Sequence, residues 1–110
     1  MKIIKVENVD YANTFFSRLI GYMFQSLPSG SEVKIFENCN SVHTFNMKFK
    51  IDVLFLDSKN VVMKRCLSVP KRRVLRSVKG ACKVVEAPEG LFFSVKEGEI
   101  VVFEALNKKK

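Results

Sequence analysis

The sequence predicts a mainly β fold: a compact antiparallel barrel-like or sandwich domain of about six strands, with one helix in the N-terminal half and one short helical turn near the end. Three observations predict it. Short apolar runs recur between turn-forming residues along most of the chain. Only one stretch carries a sustained helical period. A length of 110 residues suits one domain, read as residues 1–107 with Lys108, Lys109 and Lys110 as a basic tail. Hydrophobic residues make up 47% and charged residues 27%, which excludes a disordered chain. No apolar run reaches the length of a membrane span, and MKIIKVENVD lacks the apolar stretch of a secretory leader. A soluble cytoplasmic protein is expected.

Taken in order, Lys2 to Val6 reads as an opening strand, and Asp10 is placed to cap a helix. Ala12, Phe15, Phe16, Leu19, Ile20 and Met23 then form one apolar helical face, which Gly21 ends or bends. Leu27 to Ser31 is a turn cluster. Glu32 to Glu37 alternates, with Val33 and Ile35 on one side and Lys34 and Phe36 on the other. Ile51 to Asp57 is the strongest strand. Ile51, Val53 and Phe55 share one face and Leu54 and Leu56 the other, so both faces are apolar and a central position follows. A hairpin-type loop leads to a partner strand, Val61 to Val69, with Val61, Met63, Leu67 and Val69 toward the core; Pro70 ends it. Lys71 to Gly80 is a basic connection suited to crossing an open barrel end. Lys83 to Ala87 is a strand, Pro88 starts the short helical turn with Leu91, Phe92 and Val95 inward, and Glu99 to Leu106 is the last strand.

The net charge of +8 is concentrated. Between Ser58 and Val85 lie Lys59, Lys64, Arg65, Lys71, Arg72, Arg73, Arg76, Lys79 and Lys83, with no acid among them. Such a stretch steers anionic partners or simply keeps a small protein solvated. Lys64, Arg65, Lys71, Arg72, Arg73 and Arg76 are its candidate anion-binding residues. Cys39, Cys66 and Cys82 show no paired metal spacing, and Cys66 and Cys82 read as small buried hydrophobes. No metal and no cofactor is expected.

The run CNSVHTFNMKFKIDVLFLDSKNVV, Cys39 to Val62, followed by Pro70, resembles the bacterial and archaeal family called domain of unknown function 192. The resembling positions are Cys39, Ser41, Val42, His43, Thr44, Phe45, Met47, Ile51, Asp52, Phe55, Leu56 and Asp57. Ala12, Arg18, Gly21 and Met23 are similar to that family's opening helix, and Glu86, Gly90 and Gly98 to its closing pattern. Tyr22, Gln25 and Glu99 depart from it. The resemblance implies a mainly β, barrel-like domain with a helix packed at one side, and no established substrate or reaction.

The chemically richest stretch is the same loop. His43 is the sole histidine, and Asp52 shares a strand face with Leu54 and Leu56, where a carboxylate needs partners. Amides of the preceding loop, His43 and Arg18 are its candidate partners. The first functional reading is a non-catalytic domain that binds a small ligand or a protein partner through Arg18, His43, Thr44, Asn46, Met47 and Asp52. The second is a small enzyme with Cys39 as nucleophile, His43 as base and Asp52 orienting the ring. No glycine lies between Gly30 and Gly80 to build an oxyanion loop, which weighs against it. The third is a polyanion-binding module over residues 64–83. Phe45, Phe49, Phe92 and Phe93 beside basic residues raise nucleic acid as a partner, but no stacking motif is present, so it is not favoured.

Overall fold

The computed structural model describes residues 1–11, 27, 30–44 and 47–106. Among these are nine strands: β1 (Lys2–Val6), β2 (Asn8–Tyr11), β3 (Glu32–Glu37), β4 (Val42–His43), β5 (Ile51–Leu56), β6 (Val62–Val69), β7 (Val74–Leu75), β8 (Lys83–Pro88) and β9 (Val101–Ala105). A five-stranded sheet runs β2-β3-β8-β5-β6, and two ribbons, β1-β9 and β4-β7, stand apart from it. The first-helix stretch lies outside the described residues.

Strand β5 is central, as its two apolar faces require: all six of its residues are buried, between β8 and β6. Leu54 and Leu56 join Val33, Ile35, Val85 and Ala87 on one face, covered by Ile4 and Val6 of β1, Val101 of β9, and Phe92 and Val95. Ile51, Val53 and Phe55 join Phe36 and Val84 on the other, covered by Val42 and Met47, with Leu75 and Val78 packed alongside. The main sheet is therefore clad on both faces.

Several expectations are corrected. Among the described residues no sheet closes into a barrel. The pairing is not wholly antiparallel: β1 with β9 and β2 with β3 run parallel. Asp10, expected as a helix cap, lies in β2, and Lys34 Nζ donates to its Oδ2 at 2.8 Å. After Pro88 the chain makes consecutive turns rather than a helix, although Phe92 and Val95 do point inward. The last strand starts at Val101, with Ile100 making only an isolated bridge to Val61. Met63 is 37% exposed and Val62 takes the buried place. The register between β5 and β6 slips twice, between Ile51 and Val53 and between Phe55 and Leu56, and each added residue on β6 reverses which face the next side chains meet. The basic connection bridges no barrel mouth; it contains β7 and pairs with β4.

Phe55 is fully buried in the face clad by Met47 and Val42. Phe55→Ala should lower unfolding stability by ~3–5 kcal/mol, because lost transfer energy and a residual cavity add. Urea denaturation measures this, and an unchanged midpoint would contradict the central placement of β5.

Candidate functional site

Two polar side chains of the motif run bind backbone from distant parts of the chain, and each is almost wholly buried. Thr44 is 1% exposed. Its hydroxyl donates to the Pro70 carbonyl at 2.7 Å and accepts from the Arg73 amide at 2.8 Å. Thr44 N donates to Arg73 O at 2.8 Å, and Arg72 N donates to Thr44 O at 3.3 Å. One threonine thus joins the motif loop to the turn that follows β6. The pairing continues as β4-β7, with Val42 opposite Leu75 and His43 opposite Val74. Arg72 within this turn has a φ of 63°, in the left-handed region that a non-glycine residue adopts only when its surroundings hold it there.

Asp52 is also 1% exposed. Its Oδ1 accepts from Ser68 N at 2.9 Å, and its Oδ2 from Gly90 N at 3.0 Å and Phe92 N at 3.3 Å. Both oxygens are therefore occupied by backbone amides of β6 and of the turn after β8, not of the preceding loop. The expected contact with His43 is not made, and the proposed Cys39, His43 and Asp52 triad lacks its orienting carboxylate.

The remaining predicted residues divide clearly. Met47 is buried core, packed with Phe55 and Val53. Cys39 is half-buried against the same cluster, and its Sγ meets the Ser41 carbonyl at 3.4 Å. Cys66 and Cys82 are half-buried rather than buried. Burial pushes the Cys66 thiol up; nearby Lys64 opposes that shift and Glu97 adds to it. Arg18, Phe45 and Asn46 lie outside the described residues. Lys71, Arg72, Arg73 and Arg76 are exposed around the seam, as is Lys64 on β6. Arg65 is held in place, its guanidinium donating to the carbonyls of Phe93 at 2.9 Å and Val95 at 2.6 Å. Phe92 is core, whereas Phe93 is 79% exposed. Among the described residues no three His, Cys, Asp or Glu side chains gather as a metal site would. None of those residues forms a helix long and apolar enough to cross a membrane.

The sequence pattern of domain of unknown function 192, described as an uncharacterised ACR family, matches residues 2–103. The chain belongs to that family. A UPF0127 protein of Thermococcus gammatolerans is 29% identical over 109 residues, covering 94% of this chain and 71% of the relative. Two solved structures share the fold. A protein of unknown function from Novosphingobium aromaticivorans superposes with a TM-score of 0.72 at 20% identity, covering 82% of this chain and 70% of its own. A protein from Sinorhizobium meliloti, put forward as a transcription regulator, superposes with a TM-score of 0.73 at 17% identity, covering 82% and 76%.

Within this family domain the motif residues perform distinct physical tasks. Ile51, Phe55 and Leu56 fill the core, Thr44 and Asp52 clasp backbone, and Gly90, at a φ of 109° that an L side chain rarely adopts, turns its amide onto Asp52. Sequence reasoning missed Glu86 as a buried titratable group. It lies on β8 opposite Lys34 of β3 and Val53 of β5, and its Oε1 has no hydrogen-bond partner among the described residues. Burial pushes its carboxyl up to about 8 against the opposing pull of Lys34. The signal was present: an acid in VVEAP, with apolar residues on both sides.

This shift has a signed consequence. Folded Glu86 keeps its proton from about 4.5 to about 8, where the unfolded chain has lost it. Its contribution to stability is therefore intact below pH 4.5, declines as pH rises through that window, and levels off above pH 8. Glu86→Gln should flatten this part of the profile, as measured by urea midpoints against pH. Parallel profiles for the two proteins would exclude Glu86 as the source.

Proposed function

We propose that this domain is a recognition module that binds an anionic ligand, small or carried on an acidic protein, at the β4-β7 seam, with His43, Lys71, Arg72 and Arg73 as its contact residues. The observation that carries this reading is the Thr44 clasp. It fixes the histidine-bearing strand beside the exposed cationic turn, so that two stretches distant in sequence present one surface. The segment holding that turn also carries the whole excess of positive charge. Exposed cations raise the local concentration of an anion and speed its arrival. The left-handed Arg72 is consistent with a turn shaped for contact, since backbone strain collects at binding sites. Met47 and Asp52 act in this reading as supports of the seam, through core packing and backbone clasping.

A Cys39 and His43 enzyme is the second reading. It is disfavoured because Asp52 is already committed to three amides. The Sinorhizobium protein's description as a transcription regulator makes duplex DNA one anion worth assaying, although an identity of 17% speaks to fold alone.

Binding to heparin, duplex DNA and poly-glutamate across a salt series tests the reading. Affinity should fall steeply with salt for at least one of them, because each contact releases counterions. Replacing Lys71, Arg72 and Arg73 together by Ala should reduce a DNA salt slope by about two to three units, with folding intact. Thr44→Val should weaken the same binding by freeing the turn. Absence of retention at low salt on all three polyanions, or an unchanged slope in the triple variant, would sink the proposal.

A further inference from the structure

We infer that a cavity between the main sheet and β9 binds a small α-amino acid in its zwitterionic form, holding the ammonium and the carboxylate by separate groups. The cavity has a volume of about 110 Å³. Ile35, Leu56 and Val85 of the main sheet line one side, and residues of β9 line the other. Glu37, Asn60 and Lys83 supply its charged and amide groups. Glu37 and Tyr11, which also lines it, are exposed, so a ligand can enter from solvent.

Strand register sets two opposite charges at this place. Glu37 ends β3, Lys83 begins β8, and the two stand directly opposite each other. Alternation puts Glu37 on the face of Val33 and Ile35, the one that Val101 of β9 covers. Lys83 faces the same way. It stands opposite Leu56 of that face, and its ammonium reaches Asn60, whose carbonyl accepts from Val101 N at 3.1 Å. Opposite charges so placed attract each other across a strand pair. Here they stay apart. Lys83 Nζ donates instead to Asn60 Oδ1 at 2.7 Å, and among the described residues no ion pair joins it to Glu37. Asn60 is itself held, at a φ of 66°, with its amide donating to Asp57 O at 3.0 Å.

The spare bonding capacity defines the ligand. An ammonium has three donors, and Asn60 takes one. That bond also orients the Asn60 amide: its oxygen faces the lysine, which leaves Nδ2 to donate elsewhere. Two lysine N–H groups and this amide suit a carboxylate, and the unpaired Glu37 carboxylate suits an ammonium. A ligand that meets both must carry its charges close together, because residues opposite each other on antiparallel strands keep their Cα atoms about 4.5–5.5 Å apart. In an α-amino acid a single carbon separates the two groups. The floor of Ile35, Leu56 and Val85 then receives a compact aliphatic side chain. Drug-sized molecules need roughly 300 Å³ or more, so this cavity selects a small ligand and rejects an aromatic side chain. It lies on the opposite face of the sheet from the β4-β7 seam and stands independently of the anion-binding reading.

Titration of the isotope-labelled full chain, followed by amide chemical shifts, tests the assignment. Millimolar L-alanine should shift the amides of Val85, Val102 and Phe103 and leave those of Val42 and Val74 at the seam unmoved. Propionate lacks the ammonium and alaninamide lacks the carboxylate; each should bind about tenfold or more weaker. Glu37→Gln and Lys83→Met should weaken alanine binding to a similar degree, and phenylalanine should leave the cavity amides in place. Titration of the parent decides the matter even where a variant fails to fold. Cavity amides unmoved by alanine, propionate or alaninamide binding as tightly as alanine, phenylalanine shifting the same amides, or either folded variant binding alanine as the parent does would overturn the assignment.

Discussion

The arrangement hangs on one buried carboxylate. Asp52 is the second residue of a strand whose every residue is hidden, a place where a charged group is costly unless hydrogen bonds replace water. Three amides do so. Ser68 belongs to β6 where its pairing slips and stands at a φ of 54°; without Asp52 its amide would lack a ladder partner at that slip. Gly90 and Phe92 belong to the turns after β8, and the Phe92 amide bond sets the ring into the face clad by β1 and β9. A single side chain thereby fixes the bend of an outer strand, the path of a turn and the entry of a core aromatic. The net stabilisation of each such bond is modest, but leaving those donors unpaired would be costly.

Thr44 performs the same kind of work at the edge of the fold, with a different consequence. Asp52 gathers backbone inward and presents nothing to solvent. Thr44 gathers the turn from Pro70 to Arg73 against β4, and the side chains that turn carries remain outside. The hydroxyl suits this task because it donates and accepts at once, toward the Pro70 carbonyl and from the Arg73 amide. Valine has nearly the same shape and can do neither. The chemistry of the seam therefore rests on a residue that no ligand would touch, and the cations depend on it for position rather than for charge.

What could be read from the sequence follows from how many residues carry each signal. Ile51 to Leu56 and Glu32 to Glu37 are long enough for alternation to declare both faces, and the structure places them as read. Val42–His43 and Val74–Leu75 offer two residues each, too few for any period, so a ribbon that defines the candidate site left no trace in the pattern. Asn8–Tyr11 was hidden differently: Asp10 resembles a helix cap until Lys34, 24 positions later, supplies its partner. Met63 was misplaced because alternation assumes a constant register, which two slips on β6 break. Parallel pairing of the first strand with the last is a long-range fact with no local signature. Thr44 and Asp52 were legible as polar residues needing partners, yet their partners lie 16 to 40 positions away, beyond any local spacing rule.

Glu86 completes the comparison. It and Asp52 are carboxyls on neighbouring strands of one sheet, paired in register one residue apart, since Asp52 faces Ala87 and Val53 faces Glu86. Alternation sends them to opposite faces. On its side Asp52 meets three N–H groups. On the other side Glu86 lies across from Lys34, whose ammonium is already bonded to Asp10, and one Glu86 oxygen has no donor among the described residues. Burial is therefore not what separates the two acids. The supply of donors does, and that supply is set by the slip and turn that crowd backbone amides onto one face of β5. With the opposite face packed by Phe55, Val53 and Met47, no comparable set of amides is described there, and holding a proton replaces the missing donors.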